Sequence, residues 1–333
     1  MAKTDRLCPL EVESIRDALA AHLSDHLELP LEESRLTVDH LIRTEQCGKH
    51  DHGLIRVHYL ITSQKFGPYA YRAAPELEQP VAGRLHLDGS GYLGYPILDR
   101  FVRRGCQIAN ERGLCVGTTR GVYPSGALLD WAHQAVAQNV GVIMTASSPP
   151  RVAAPTGSTP IVGTNPICIG LPHTPHPFVA DSSTSEINHG QLLLARASDQ
   201  SLPQHAAVDS AGQPTTDPHQ VDPTKGLGAL LPVGGSHKSF ALAVAVELLS
   251  SLGGGQPGSS NLADCGVFCV FLGEDLTQTA RQSASRWLTE LDDSGTRIPG
   301  WHSHRHAEAQ RKQGVVRIRP DTHRMIQPWL SHS

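Results

Sequence analysis

The stretch RLHLDGSGYLGYPILDRFVRRGCQIANERGLCVGT, residues 84–118, decides the fold class. Residues 85–88 alternate apolar and polar side chains, as a strand with one buried face does. Residues 96–112 then place Ile97, Phe101 and Ile108 at helical spacing. Residues 114–118 form a second short strand pattern, so this stretch predicts alternating strands and helices.

Apolar periodicity extends this alternation along the chain. Two helices precede the stretch: one carries Val12, Ile15 and Leu19 and is ended by Pro30, and the other covers residues 36–46. Further strands are predicted at residues 140–145, 160–162, 167–171, 178–181 and 265–272, and further helices at 128–138, 238–252 and 275–291. The pattern predicts an α/β fold with a mixed sheet, with α+β as the alternative. Residues 196–233 are a long polar excursion, which in a compact protein is more often functional than a linker.

Composition limits the possible classes of function. The chain has 333 residues and a net charge of −4, so no basic surface field would attract nucleic acid or anionic lipid. No apolar run has the length needed to span a bilayer, and the N-terminus lacks the pattern of a secretory signal. Seven cysteines, an odd and scattered number, are typical of reduced thiols. We therefore expect a soluble cytoplasmic enzyme without nucleic-acid or membrane partners.

A GxGxxG pattern, Gly89 to Gly94, follows the first strand of the deciding stretch. Such glycines hold a pyrophosphate in dinucleotide-binding βαβ units, where an acidic residue ends the following strand. Here that strand runs into Thr119 and Arg120, and Pro96 places the helix start after the motif. We therefore favour a glycine-rich turn over a Rossmann site.

Histidines cluster twice, at His50-Asp51-His52 and at His302, His304 and His306. The first cluster stands four residues before Arg56, so on a helix His52 and Arg56 would share one side. These groups could move protons and hold a carboxylate, but a polar turn explains them equally well. The second cluster is interpreted as a solvated loop. Because no HExxH motif or paired CxxC motif completes a zinc set, we predict no metal site.

Two further glycine-containing segments allow more than one interpretation. Residues 163–166, Gly-Thr-Asn-Pro, have the composition of a tight turn. Residues 231–239 combine glycines, a predicted helix start and Lys238, which suits an anion site or a structural cap equally well.

Taken in order, several segments resemble the type-2 malate/L-lactate dehydrogenase family, which includes cyclic-imine reductases. The segments are CGKHDHGLIR (47–56), TASSP (145–149), VGTNP (162–166), DSSTS (181–185), PTTDP (214–218), LPVGGSHK (231–238) and IPG (298–300). The resemblance implies an NAD(P)-dependent oxidoreductase with a non-Rossmann cofactor fold, acting on a small carboxylate as a homodimer. It also implies a helical domain from residues 1–80 and about 275–333, and a cofactor-binding sheet region at about 81–274.

The same resemblance assigns roles to residues. His52 and Arg56 match substrate-binding positions, and the arginine would hold the substrate carboxylate. The expected cofactor contacts are Ser147, Asn165, Asp181, Ser182, Ser183 and Lys238.

Two departures from the family pattern affect the predicted chemistry. Asp51 stands where the family has Ser, and its charge would repel a carboxylate unless it is paired, or would favour a cationic imine. Tyr123 falls where the family has its catalytic His, and Tyr donates a proton more readily than it accepts one near neutral pH.

We predict a reductase of a 2-oxo or cyclic 2-imino carboxylate, with His52, Tyr123 and Asp51 as catalytic residues and NAD or NADP as cofactor. The alternative, motivated by the missing His and by Ser182, Ser183 and Ser239, is a protein of the same fold without hydride transfer, either a ligand-binding protein or a non-redox enzyme.

Overall fold

A mixed seven-stranded sheet organises the protein in the computed structural model, which describes residues 7–63, 65–69, 75 and 77–330. The strands of the described chain are β1 (Cys8–Glu11), β2 (Leu77–Val81), β3 (Arg84–Asp88), β4 (Leu114–Arg120), β5 (Gly141–Ala146), β6 (Ile167–Leu171), β7 (Phe178–Ser182), β8 (Ala207–Val208), β9 (Pro214–Thr215), β10 (Ala229–Leu230), β11 (Val267–Leu272) and β12 (Val315–Ile318). The helices are α1 (Val12–Leu27), α2 (Leu31–Gln46), α3 (Ile55–Thr62), α4 (Gly94–Arg112), α5 (Leu128–Val136), α6 (His189–Ala197), α7 (His237–Ser250), α8 (Glu274–Asp293), α9 (Trp301–Lys312) and α10 (Pro320–Ile326).

The strand order of the large sheet is β2-β3-β4-β11-β5-β6-β7. Among these described strands only β3 and β4, joined through α4, are parallel. All the other neighbours in the sheet are antiparallel. A doubly wound dinucleotide fold needs a mostly parallel sheet. The predicted α/β class with a mixed, non-Rossmann sheet is confirmed.

The GxGxxG glycines serve close backbone packing. A Cβ on Gly89 would overlap the carbonyl oxygen of Gly121, and one on Gly94 would overlap that of Pro124. Leu93 also forms a parallel bridge with Tyr123. These contacts press the glycine turn against the loop after β4 and hold Tyr123 in its position.

Both ends of the described chain meet in a second, two-stranded sheet. β1 pairs antiparallel with β12, with Cys8 opposite Ile318. The boundaries proposed near residues 80 and 274 remain a prediction. No helix in the described ranges is long and apolar enough to cross a membrane.

The polar excursion is ordered. β8, β9 and β10 form a small sheet, and a separate apolar cluster containing Val152, Leu192 and Leu230 lies beneath it. The backbone N–H of Leu230 donates to the carbonyl oxygen of Arg151 at 2.9 Å. The excursion therefore anchors the segment that follows β5.

Three local predictions were wrong. The second helix starts at Leu31 directly after Pro30, earlier than residue 36, and residues 160–162 form one bridge, Val152 to Val162, in place of a strand. The 302–306 histidines lie on helix α9 and not on a solvated loop, because Trp301, Ala307 and Gln310 provide a buried stripe that the many polar residues obscure.

Candidate active site

One cleft gathers most of the predicted site residues. It holds about 1150 Å³ of empty space, with the solvent at its mouth included. Seven of the predicted residues line it: Asp51, His52, Arg56, Tyr123, Ser147, Asp181 and Ser183. These residues come from the turn before α3, the first turn of α3, the loop after β4 and the ends of β5 and β7, so the fold brings together distant parts of the chain.

A buried glutamate shapes the turn that carries Asp51 and His52. The Glu45 carboxylate accepts the backbone N–H of Leu54 at 2.8 Å and also contacts the Nδ1 atom of His50. A Cβ at Gly53 would overlap this carboxylate, so the turn requires glycine there. His52 lies in the turn before α3 and Arg56 in the first turn of α3, and both side chains line the cleft.

Asp51 and His52 form a pair at the wall of the cleft. The Asp51 Oδ2 atom lies 3.1 Å from His52 Nδ1 and accepts a hydrogen bond from the Asn188 amide. Although burial opposes ionisation, His52, Asn188 and the charge of Arg56 hold the pKa of Asp51 well below its ordinary value. Asp51 is therefore an ionised, paired carboxylate, and the Nε2 atom of His52 makes no hydrogen bond within the described ranges.

Arg56 leaves most of its guanidinium available. Its Nε atom donates to the carbonyl oxygen of Asp51 at 2.7 Å, and the guanidinium lies 5.7 Å from the centre of the Tyr59 ring. No carboxylate of the described residues forms an ion pair with it. Since its terminal nitrogens have no anionic partner, Arg56 can bind a ligand carboxylate in a bidentate manner.

Tyr123 stacks on Phe66, with ring centres 6.4 Å apart and an interplanar angle of 11°. Burial raises the pKa of Tyr123, and Arg56 and Arg151 oppose this only in part. The hydroxyl is therefore protonated at neutral pH and suited to donate a proton.

Asp181, Ser147 and Ser183 have structural partners as well as a place in the cleft. The Asp181 carboxylate accepts the backbone N–H of Leu129 at 3.1 Å at the start of α5, and burial raises its pKa against the opposing charge of Lys49. The Ser147 hydroxyl accepts the N–H of Gly266 at 3.0 Å, and that of Ser183 donates to the Thr164 carbonyl at 2.7 Å.

Asn165, Ser182 and Lys238 do not line the cleft. The fully buried Asn165 amide donates to the Glu247 carboxylate at 2.6 Å. Ser182 is exposed and donates to the carbonyl oxygen of Ser183, and Lys238 is exposed in the first turn of α7. Cofactor contact by these three residues stays a prediction.

Two cleft residues were missed in the sequence. Arg151 is fixed through its backbone to Val162 and Leu230, yet its buried Nε atom has no partner in the described structure. The Nδ1 atom of His189 is likewise buried and unpaired, and burial, with Arg151 and Arg56, lowers the pKa of His189 to about 3. An arginine directly after Ser147–Pro150 was the available signal for the first residue; the second has no local signal.

A family model described as malate/L-lactate dehydrogenase matches residues 11–327 of the chain. The chain belongs to the malate/L-lactate dehydrogenase family. This membership confirms the predicted family and the predicted NAD(P)-dependent oxidoreductase.

Relatives within the malate/L-lactate dehydrogenase family act on different carboxylates. The chain is 29% identical over 298 residues to the Delta(1)-pyrroline-2-carboxylate/Delta(1)-piperideine-2-carboxylate reductase of Pseudomonas putida, covering 85% of this chain and 86% of the reductase. It is 31% identical over 243 residues to the (2R)-3-sulfolactate dehydrogenase (NADP(+)) of Chromohalobacter salexigens, covering 72% of this chain and 71% of that enzyme. The solved delta1-piperideine-2-carboxylate reductase of Pseudomonas syringae has a TM-score of 0.83 at 24% identity, covering 97% of this chain and 100% of the reductase, which establishes the shared fold.

The cleft fits the nicotinamide cofactor of a malate/L-lactate dehydrogenase. The unpaired Nε atom of Arg151 and the terminal nitrogens of Arg56 offer positive charge to an anionic ligand. A cofactor that carries phosphates and a substrate that carries a carboxylate both require cationic side chains that are not already paired with protein anions.

Proposed function

We propose that the chain reduces a 2-oxo or cyclic 2-imino carboxylate with NADH or NADPH. The observation that carries this proposal is the juxtaposition of Arg56, free of any anionic partner in the described structure, with the Asp51–His52 pair in one cleft. The relatives support the same class, since their names include both a cyclic 2-carboxylate reductase and a sulfolactate dehydrogenase.

In this mechanism Arg56 orients the substrate. Its two terminal nitrogens bind the carboxylate, and the bond from Nε to the Asp51 carbonyl holds the guanidinium plane in position. The cofactor, when bound, supplies the hydride for the carbon next to that carboxylate. We assign the cofactor contacts to Ser147, Asp181, Ser183 and Arg151 within the cleft, and to Asn165, Ser182 and Lys238 outside it.

His52 supplies the proton to the carbonyl oxygen or imine nitrogen as the hydride adds to the neighbouring carbon, and Tyr123 is the second donor. Ionised Asp51 stabilises a protonated His52 through its Nδ1 atom, which leaves the Nε2–H to donate. When the proton moves from His52 to an imine nitrogen, the Asp51 carboxylate stabilises the positive charge of the iminium, a gain that a neutral ketone does not have. Comparing kcat/KM for a cyclic 2-imino acid and a linear 2-oxo acid in Asp51→Asn tests this preference. We expect a larger loss for the imine, and equal losses would contradict it.

The test of the overall proposal is an absorbance assay of NADH and NADPH oxidation with 2-oxo acids and cyclic 2-imino acids. Arg56→Ala removes a charged hydrogen-bonding partner worth about 1.5–3 kcal/mol, so KM should rise roughly 10- to 150-fold. Arg35→Ala, which removes an exposed ion pair with Asp17, is the control and should leave KM unchanged. Turnover that is insensitive to Arg56→Ala would contradict the proposed substrate binding.

We also infer that the chain is a cytoplasmic homodimer. Helix α7 is rich in apolar residues, yet Leu242, Leu248 and Leu252 on and just after it are 45%, 54% and 60% exposed, a pattern that favours a subunit contact. Light scattering should give twice the chain mass of 35.8 kDa. Leu248→Lys with Leu252→Lys should shift the mass to that of one chain, and a monomeric wild type would overturn the inference. The seven cysteines, an odd number, support the cytoplasmic location.

A further inference from the structure

Helix α9 carries histidines that the proposed reaction does not use. His304 and Glu308 are four residues apart on it and project from one face. His176, from the turn before β7, lies against the same face, with its ring centre 5.3 Å from that of His304. None of the three lines the active-site cleft.

These three side chains have the geometry of a metal-ligand set. One ligand atom of each, two imidazole nitrogens and a carboxylate oxygen, lies within 4.8 Å of the others. Tetrahedral ligation at about 2.0–2.2 Å requires ligand atoms roughly 3.3 Å apart, so side-chain rotations that bring the atoms at most about 1.5 Å closer suffice. Two imidazoles and one carboxylate form a common zinc set, in which water completes the coordination.

We propose that His176, His304 and Glu308 bind a first-row divalent transition-metal ion, such as Zn²⁺, which ties α9 to the turn before β7. Imidazole ligands select such ions over Mg²⁺ and Ca²⁺, which prefer oxygen.

The surroundings leave the imidazoles available. Neither His176 nor His304 makes a side-chain hydrogen bond within the described ranges, and the T-shaped contact of His176 with Trp301, at 5.5 Å, holds its ring in place.

Two cations compete with the ion at this site. Lys312 pairs with Glu308 at 2.9 Å, but both side chains are exposed and such pairs contribute little. The charge of Arg311 acts on His304 and is retained when a metal binds. We therefore expect moderate affinity.

The experiment titrates the metal-free full-length protein with ZnCl₂ and, separately, MgCl₂, using calorimetry and the melting temperature. Zn²⁺ should bind one ion per chain at this site and raise the melting temperature, whereas Mg²⁺ should do neither. His304→Gln and Glu308→Gln should each weaken Zn²⁺ binding by about tenfold or more while the metal-free melting temperature stays near that of wild type. Glu308→Gln keeps the test valid if His304→Gln folds poorly, since the side chain of Glu308 is 41% exposed.

Two matched variants separate this site from its neighbours. His302→Gln alters an exposed histidine of the same helix, whose ring lies 6.3 Å from that of His306, and should leave Zn²⁺ affinity unchanged. Lys312→Gln removes the competing cation and should bind Zn²⁺ at least as tightly. Loss of binding in His302→Gln, or unchanged affinity in both His304→Gln and Glu308→Gln, would overturn the proposal.

Discussion

Two aspartate–histidine pairs in this protein have the same chemistry and different surroundings. In the core, His40 Nδ1 lies 2.9 Å from Asp130 Oδ2; in the cleft, His52 Nδ1 lies 3.1 Å from Asp51 Oδ2. The His40 side chain is 0% exposed and that of His52 is 31% exposed. The two pairs differ in whether the second imidazole nitrogen, Nε2, already has a hydrogen-bonding partner.

The core pair has no capacity left for a ligand. The Nε2 atom of His40 accepts the backbone N–H of Ala127 at 3.1 Å, and Arg43 binds both oxygens of Asp130 at 2.8 and 2.9 Å. Desolvation lowers the pKa of His40, so this imidazole is neutral and joins α2 to the start of α5. The cleft pair leaves Nε2 of His52 unbonded within the described ranges, so only this pair can exchange a proton with a substrate.

His52→Gln should have the largest effect on the reaction. Loss of a positioned proton donor lowers kcat by about 10²–10⁴-fold, while KM changes little because Arg56 still binds the carboxylate. Steady-state kinetics measures both constants, and His302→Gln is the surface control. A kcat within threefold of wild type would exclude His52 as the donor.

Asp130→Asn should have the largest effect on stability. Removing one charge of a buried pair leaves Arg43 without its partner, so the free energy of unfolding should fall by about 3–5 kcal/mol. Asp39→Asn breaks the exposed ion pair with Arg16 and should cost about 1 kcal/mol or less. Urea unfolding at neutral pH compares the two variants, and equal losses would contradict the structural role of the core pair.

Acid should weaken the core pair over a defined range. The native pKa values of Asp130 and His40 both lie below their ordinary values, so in the native state these groups bind protons less readily than in the unfolded chain. Their stabilising contribution is therefore complete above about pH 6.5 and is lost as His40 and then Asp130 become protonated, below about pH 6.5 and 4 in the unfolded chain. Urea unfolding between pH 7 and 2.5 should show falling stability, and below about pH 4 the fall should be shallower in Asp130→Asn, which has no carboxyl to protonate at this position. A parallel fall in both proteins would assign the pH dependence to other groups.

Tyr123→Phe should have the smallest of these effects. The ring and its stacking on Phe66 are retained, so KM should not change, and kcat should fall about tenfold through loss of the second donor. Wild-type kcat in Tyr123→Phe would remove this hydroxyl from the mechanism and leave His52 as the donor.

Local patterns in the sequence were sufficient for the fold class and for much of the site. Strand–helix alternation from residue 84 onward predicted the mixed sheet, and the ordered segments from Cys47 to Gly300 identified the family. Both signals are local in the chain, because strand and helix periodicity depend on near neighbours. Helix α9 was missed since its buried stripe consists of Trp301, Ala307 and Gln310 among charged residues.

Only the tertiary structure decided which histidines are free to act. Asn188 reaches Asp51 across 137 residues of sequence, and Arg43 and His40 reach Asp130 across about 90. His176 meets His304 by the packing of α9 against the turn before β7. Such neighbours in space decide the pKa of a side chain and whether its hydrogen-bonding atoms are already used. The same two residue types, Asp and His, therefore form a structural contact in the core and a proton-donating pair in the cleft.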